Sequence, residues 1–374
     1  MGSAASTFEV RTDDAIVVVR AVERCLRGVS RAGGIMIFCS GRMARELHVL
    51  AEALQLVTDL PIVLVEGPGV LTQDGELEAE SAATGLIWRG RRAELTQCDD
   101  DSELTTAKLE AMLGPRARSP HASMVFIRSE GFDPEQLWRI RKSHADPLIF
   151  GAGTYGDPGL VCVADGEVRR PAASCLRLVG MAPPIVRTAH SCRLLGDPMP
   201  ITKATGNMIE EIGGVPALSV LERLGKNLRG QSLVFTVLAP KGVSESSQDW
   251  LVRGIQGVDP DNRSLLISQE AREDMHITFA VREAGAAREQ LDQVCRDVSR
   301  SLAGSAPRFA LYFNCSGRGR NLYNAPNVDT RALRTHFAGL PIAGFQSAFE
   351  IGPFAGAPAL QLYTGILAVF AAPS

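Results

Sequence analysis

One four-residue word, CSGR, occurs twice in this chain, at residues 39–42 and 315–318. Each copy ends an apolar, strand-forming run, residues 35–39 (IMIFC) and 310–314 (ALYFN). Each is followed by a helical pattern, then by Leu-Pro-Ile at residues 60–62 or 340–342, then by a second apolar run. The identical word alone is weak. The shared order of strand, CSGR, helix, Leu-Pro-Ile and strand constrains the fold, because two apolar strands joined by an amphipathic helix pair in parallel through a crossover.

A third, more diverged copy follows the same order. Residues 123–127 (SMVFI) form the strand, Asp133, Pro134 and Gln136 supply a cap, a first-turn proline and a capping-box pair for a helix through Ser143, and Pro147 opens the next strand. Pro61, Pro147 and Pro341 thus each start a second strand, a position where the missing N–H costs no ladder bond. The expected fold is α+β: two pseudo-repeated halves, 1–215 and 216–374, built from strand-helix-strand units with layered sheets and helices outside.

The remaining elements follow from local pattern. Residues 13–30 make an amphipathic helix behind Asp13 and Asp14, and Met43, Leu47, Leu50, Leu54 and Val57 share one face of another. Asp74-Gly75 and Asp165-Gly166 read as two-residue hairpin turns. Residues 96–120 read as a surface crossover with one short helix at 102–113. Residues 151–156 (GAGTYG) match the dinucleotide fingerprint G-x-G-x-x-G, but a second strand follows where a helix N-terminus is needed, so they read as a tight turn.

Composition excludes several classes. A net charge of -3 without a basic block lacks the electrostatic footprint of nucleic-acid binding. The longest apolar tract, residues 360–372, is interrupted by Gln361 and is too short to span a bilayer, and the start of the chain has no signal-peptide pattern, so the expected location is the cytoplasm. The eight cysteines and six histidines are scattered, with no C-x-x-C and no H-E-x-x-H, so reduced thiols are expected and neither a metal nor a cofactor is.

The candidate site lies around the second CSGR. Asn314 and Cys315 stand at the strand end, and Arg318 and Arg320 on a Gly-punctuated loop make a forked donor set for a carboxylate or phosphate. Glu350, alone in an uncharged run, suits an ammonium; the architectural alternative is an Arg-Glu pair tying loop to strand. Arg42 reads as the pseudo-symmetric counterpart of Arg318, and Asp329 as a helix N-cap. Cys315 beside two arginines has the setting of a lowered-pKa thiol but no base within the motif.

Taken together, the order FNCSGRGR, Asp329, LPIAGF, FEIGP and YTGILAVF resembles the C-terminal half of the FIST family, named for F-box and intracellular signal transduction proteins. Residues 192–221 resemble the junction between its two halves, and there Lys203 and Asn207 are candidates to line a cleft between halves. The resemblance implies a cytoplasmic sensory domain that binds a small ligand, an amino acid or similar small zwitterion or anion, and that passes its state to a signalling protein partner. Two other functions stay open: a cysteine-dependent enzyme using Cys315, and a protein-recruitment scaffold without a ligand. The chain departs from the family pattern at Glu66, where a small residue or Cys is usual, at Phe349, which replaces a Gly, and at Gln361, which replaces a His.

Overall fold

The computed structural model describes residues 3–98, 104–114, 123–130, 132–143, 148–226, 228, 234–241 and 249–372. The three strand-helix-strand units expected from sequence are present, each holding its two strands in parallel. The first pairs Ala32–Ser40 with Ile62–Glu66, the middle unit Ser123–Arg128 with Ile149–Thr154, and the third Pro307–Cys315 with Ile342–Ser347. Such runs are buried on both faces, which explains why they read as continuous apolar stretches rather than as alternating ones.

Each unit then continues in the same way. Behind its second strand comes a hairpin, Gly69–Thr72 with Glu76–Glu78, Leu160–Ala164 with Glu167–Arg169, or Glu350–Phe354 with Ala357–Gln361. That hairpin does not pair within its own unit. The hairpin of the first unit joins the third unit's second strand, the hairpin of the third joins the middle unit, and that of the middle joins the first. The result is a closed ring of three six-stranded sheets, and the division at 215/216 cuts across two of them. The Asp165-Gly166 hairpin turn has both residues at positive φ, 50° and 79°, as a two-residue primed turn requires. Asp74-Gly75 is not such a turn: the Thr72 N–H donates to the Gly75 carbonyl at 3.0 Å, so Gln73 and Asp74 make that turn, and neither has positive φ.

The inner faces of the three sheets meet in one core. Phe38, Phe126 and Phe313, one from each leading strand, form a fully buried triangle with ring centroids 6.4, 5.9 and 5.6 Å apart. Helices cover the outer faces: Ala15–Gly28 and Leu47–Gln55 on the first sheet, Thr106–Leu113 and Glu135–Ser143 on the middle one, Ala284–Ser301 and Val328–His336 on the third. The third unit is interrupted between its first strand, Ile185–His190, and the helix Ala284–Ser301. There the chain builds a separate sheet from strands between Cys192 and Arg282, with the helix Ala217–Gly225 against it.

Some local readings need correction. The helix after the first CSGR is two, Arg42–Arg45 and Leu47–Gln55, and Val57 lies beyond it, 37% exposed, so it does not extend the apolar stripe. Residues 94–98 form a strand and the short helix begins only at Thr106, capped by Thr105. Gln136 closes no capping box; its amide donates to the Leu104 carbonyl, while Asp133 caps alone by accepting the Glu135 N–H at 2.9 Å. Residues 99–103 and 115–120 of the expected crossover, and Pro147, lie outside the described residues.

Candidate functional site

The three units bring three equivalent mouths to the carboxyl ends of their parallel strands, where crevices form in open α/β sheets. Each mouth is made by the loop after the leading strand, the end of the second strand, and the turn entering the neighbouring unit's hairpin. What fills each mouth is different.

In the third unit the sequence candidates come together, but as a closed network. Arg318 is fully buried. Its Nε donates to Asp329 Oδ2 at 2.8 Å, and Nη2 donates to Asp329 Oδ1 at 2.9 Å and to the Tyr323 hydroxyl at 2.7 Å. Nη1 donates to Ser191 Oγ at 2.7 Å and reaches the Ala189 carbonyl at 3.5 Å. Tyr323, Tyr312 and Asn314 donate to the same Asp329 carboxylate at 2.7, 3.0 and 3.3 Å. Burial alone would raise the Asp329 pKa, and the Arg318 charge with these hydrogen bonds outweighs it and holds the carboxyl below its ordinary value.

Two expectations are thereby corrected. Asp329 is not the N-cap; Asn327, at positive φ, holds that position, and Asp329 turns inward because a desolvated guanidinium needs a counter-ion. Arg318 pairs with Asp329 rather than with Glu350, and its fork is spent inside the protein. Glu350 is also fully buried and accepts hydrogen bonds from the Ser347 hydroxyl at 2.6 Å and from the Thr364 hydroxyl. Burial pushes its pKa up to about 8 despite those bonds.

Cys315 is buried and burial raises its thiol to about 11, the reverse of nucleophile activation. Arg320 is exposed, and its backbone N–H donates to both Glu78 carboxylate oxygens at 3.2 and 3.0 Å. Lys203 and Asn207 lie far along the fold, on the exposed hairpin of Met199–Thr205 and Met208–Ile212 in the inserted sheet; Lys203 pairs with Glu210 at 2.7 Å.

In the middle unit an aromatic ring occupies the mouth. Phe349, arriving from the third unit, is buried and stacks on Phe132 at 5.3 Å. Gly153 admits it: a Cβ there would stand 2.4 Å from the Phe349 ring.

The first unit's mouth is open. A cleft of about 450 Å³ is lined by Gly41, Arg42, Arg45, Glu66, Tyr155 and Gly156, with Gly67, Pro68 and residues 79–81 around it. Gly41 and Gly319 share a conformation, φ 63°, ψ -135° and φ 58°, ψ -141°, and each opens a four-residue helix, Arg42–Arg45 or Arg320–Tyr323. By backbone, then, Arg42 corresponds to Arg320 and not to Arg318; the third loop carries two extra residues, Gly317 and Arg318, of which Arg318 folds inward. Arg45 correspondingly stands where Tyr323 closes the third mouth.

Arg42 is 80% exposed, with Asp13 at 4.0 Å. Glu66 sits at the end of its strand with one buried carboxylate oxygen, Oε2, that has no hydrogen-bond partner. Burial raises its pKa, opposed by the Gly159 backbone, reinforced by Asp157 and opposed by Arg45. The far wall, Tyr155, shares a 2.6 Å hydroxyl–hydroxyl hydrogen bond with Ser316 of the third loop. Arg45, Glu66 and Tyr155 were missed as site residues by sequence reading; the departure at Glu66 was the one signal that could have found them. Among the described residues no His, Cys, Asp and Glu group is arranged to hold a metal ion, and no helix is long and apolar enough to cross a membrane.

Comparison with known proteins gives two family matches that follow one another along the chain. Residues 34–215 match the FIST N domain and residues 217–353 the FIST C domain. The chain is similar to the uncharacterized protein Mb0898c of Mycobacterium bovis, 26% identical over 362 residues and 92% of each chain. It is also similar to the uncharacterized protein MT0656 of Mycobacterium tuberculosis, 30% identical over 231 residues, which cover 60% of this chain and 59% of that protein.

Proposed function

The chain belongs to the FIST family, and on that premise we propose that it is a sensory domain whose ligand, an amino acid or similar small zwitterion or anion, sits in the first unit's mouth. FIST domains are associated with sensory roles in signal transduction. The observation that carries the reading is the contrast among the three mouths: one is closed by Arg318 and Asp329, one is filled by Phe349, and one is an open cleft lined by charges. Arg42 and Arg45 are the groups to receive the ligand's anionic end, since their guanidinium forks match a carboxylate and neither is committed to a buried partner.

In the closed third mouth a protein carboxylate, Asp329, takes the fork of Arg318, a residue with no counterpart in the first loop. The domain works in the cytoplasm, where its eight free cysteines suit a reducing compartment, and passes its state to a partner protein.

A thermal-shift scan with the L-amino acids as probes tests this. At least one should raise the melting temperature of the wild type, a ligand at a hundred times its Kd adding about 2.7 kcal/mol. The variant carrying Arg42→Ala and Arg45→Ala should lose that shift while its unliganded stability stays within about 0.5 kcal/mol, because both side chains are exposed. A shift that survives in the double variant contradicts the placement.

A further inference from the structure

The residue that ends the second strand differs among the three units. The parallel registers align Glu66 opposite Cys39, Thr154 opposite Arg128, and Ser347 opposite Cys315. The two mouths filled by the protein's own side chains have a hydroxyl at this place, and only the open one has a carboxylate.

That carboxylate is held where a charge is expensive. Glu66 Oε2 is buried without a hydrogen-bond partner, and no ion pair within 4.0 Å joins Glu66 to Arg42 or Arg45 among the described residues. The chain also makes room for it. Gly156, at φ 67°, faces it so closely that a Cβ would stand 2.4 Å from Oε1 and 2.5 Å from Oε2. An anionic occupant would meet this carboxylate, and a neutral apolar one would leave its oxygen unpaired, which costs a desolvation penalty either way.

We propose that Glu66 is the specificity-determining residue of the cleft, selecting a small molecule that carries an ammonium or guanidinium group together with its carboxylate and rejecting purely anionic analogues. This rests on the cleft being the ligand site. The cation pairs with the Glu66 carboxylate where it lines the cleft, while Arg42 and Arg45 hold the ligand's carboxylate at the mouth of the same cleft. Charges of both signs on one wall match a zwitterion and oppose a dicarboxylate.

The test pairs each amino acid with the acid that lacks its amino group, alanine with propionate and glutamate with glutarate among them, in calorimetric titrations of the full chain. For the amino acids that bind, the deamino partner should bind about tenfold to a hundredfold more weakly, the value of one charge-assisted contact. Glu66→Gln, close in shape, should collapse that ratio to near unity, and Glu66→Asp should retain part of it. Melting of the unliganded variants shows that they fold. A deamino acid that binds as tightly as its amino acid, or a preference that survives Glu66→Gln, overturns the inference while leaving the cleft as the site. If no probe binds, or if binding is indifferent to Arg42→Ala with Arg45→Ala, the underlying reading fails and the inference with it.

Discussion

Glu350 sits in full burial with only hydroxyls and a backbone N–H to receive its carboxyl, from Ser347 and Thr364. Its folded pKa of about 8 lies above the ordinary carboxyl value, so the native state holds this proton more tightly than the unfolded chain does. The stability so contributed is full below about pH 4.3 and is lost as pH rises through about 8, with a slope of at most about 1.4 kcal/mol per pH unit. Glu76, raised to about 7 by burial and by the nearby Asp329 charge, acts in the same direction. Glu350→Gln should remove its share. The stability advantage of wild type over this variant, measured by urea unfolding, should shrink steadily between about pH 5 and about pH 8; an advantage that does not change over that window contradicts the assignment of a protonated Glu350. None of this was legible in the sequence, where Glu350 read as an ammonium receiver, because the hydroxyls that satisfy it come from Ser347, three residues back, and from Thr364, on a strand beyond the hairpin.

At the level of elements, the repeated CSGR word identified the right strands and the right loops but misaligned their side chains. Cys39 and Cys315 are equivalent by strand register, yet the glycines that start the short helices are Gly41 and Gly319, so identical words hide a two-residue difference in loop path. The parallel pairs, the Asp165-Gly166 turn and the amphipathic helices were legible because each depends on local periodicity or turn chemistry, whereas the Asp74-Gly75 turn was placed one residue late. The exchange of hairpins was not, since no local pattern states which sheet a hairpin joins. Phe349 shows what that exchange does: it reaches from the third unit into the middle unit's mouth and lies over Gly153. Phe349→Ala should therefore cost about 3 to 5 kcal/mol, the range for emptying a buried aromatic site, read as a lowered urea midpoint with an unchanged m-value. A loss of a few tenths of a kcal/mol would mean that the ring does not fill this mouth.

The whole molecule is a ring of three units around a common aromatic core, with a further sheet inserted into the third unit. Family resemblance and the three strand-helix-strand units were legible from motif order; their closure into a ring was not, because it depends on which neighbouring sheet each hairpin joins. Pseudo-symmetry then explains why one site is open. Three equivalent mouths arise from the architecture, and side chains close two of them from within. The central claim is that ligand binds once, at the first unit's mouth, and calorimetric titration with the tightest-binding probe of the amino-acid panel tests it most directly. One molecule should bind per chain, with affinity abolished by Arg42→Ala with Arg45→Ala and unchanged by Arg320→Ala, the corresponding arginine of the closed mouth. Two molecules per chain, or binding lost with Arg320 and kept without Arg42 and Arg45, would contradict it.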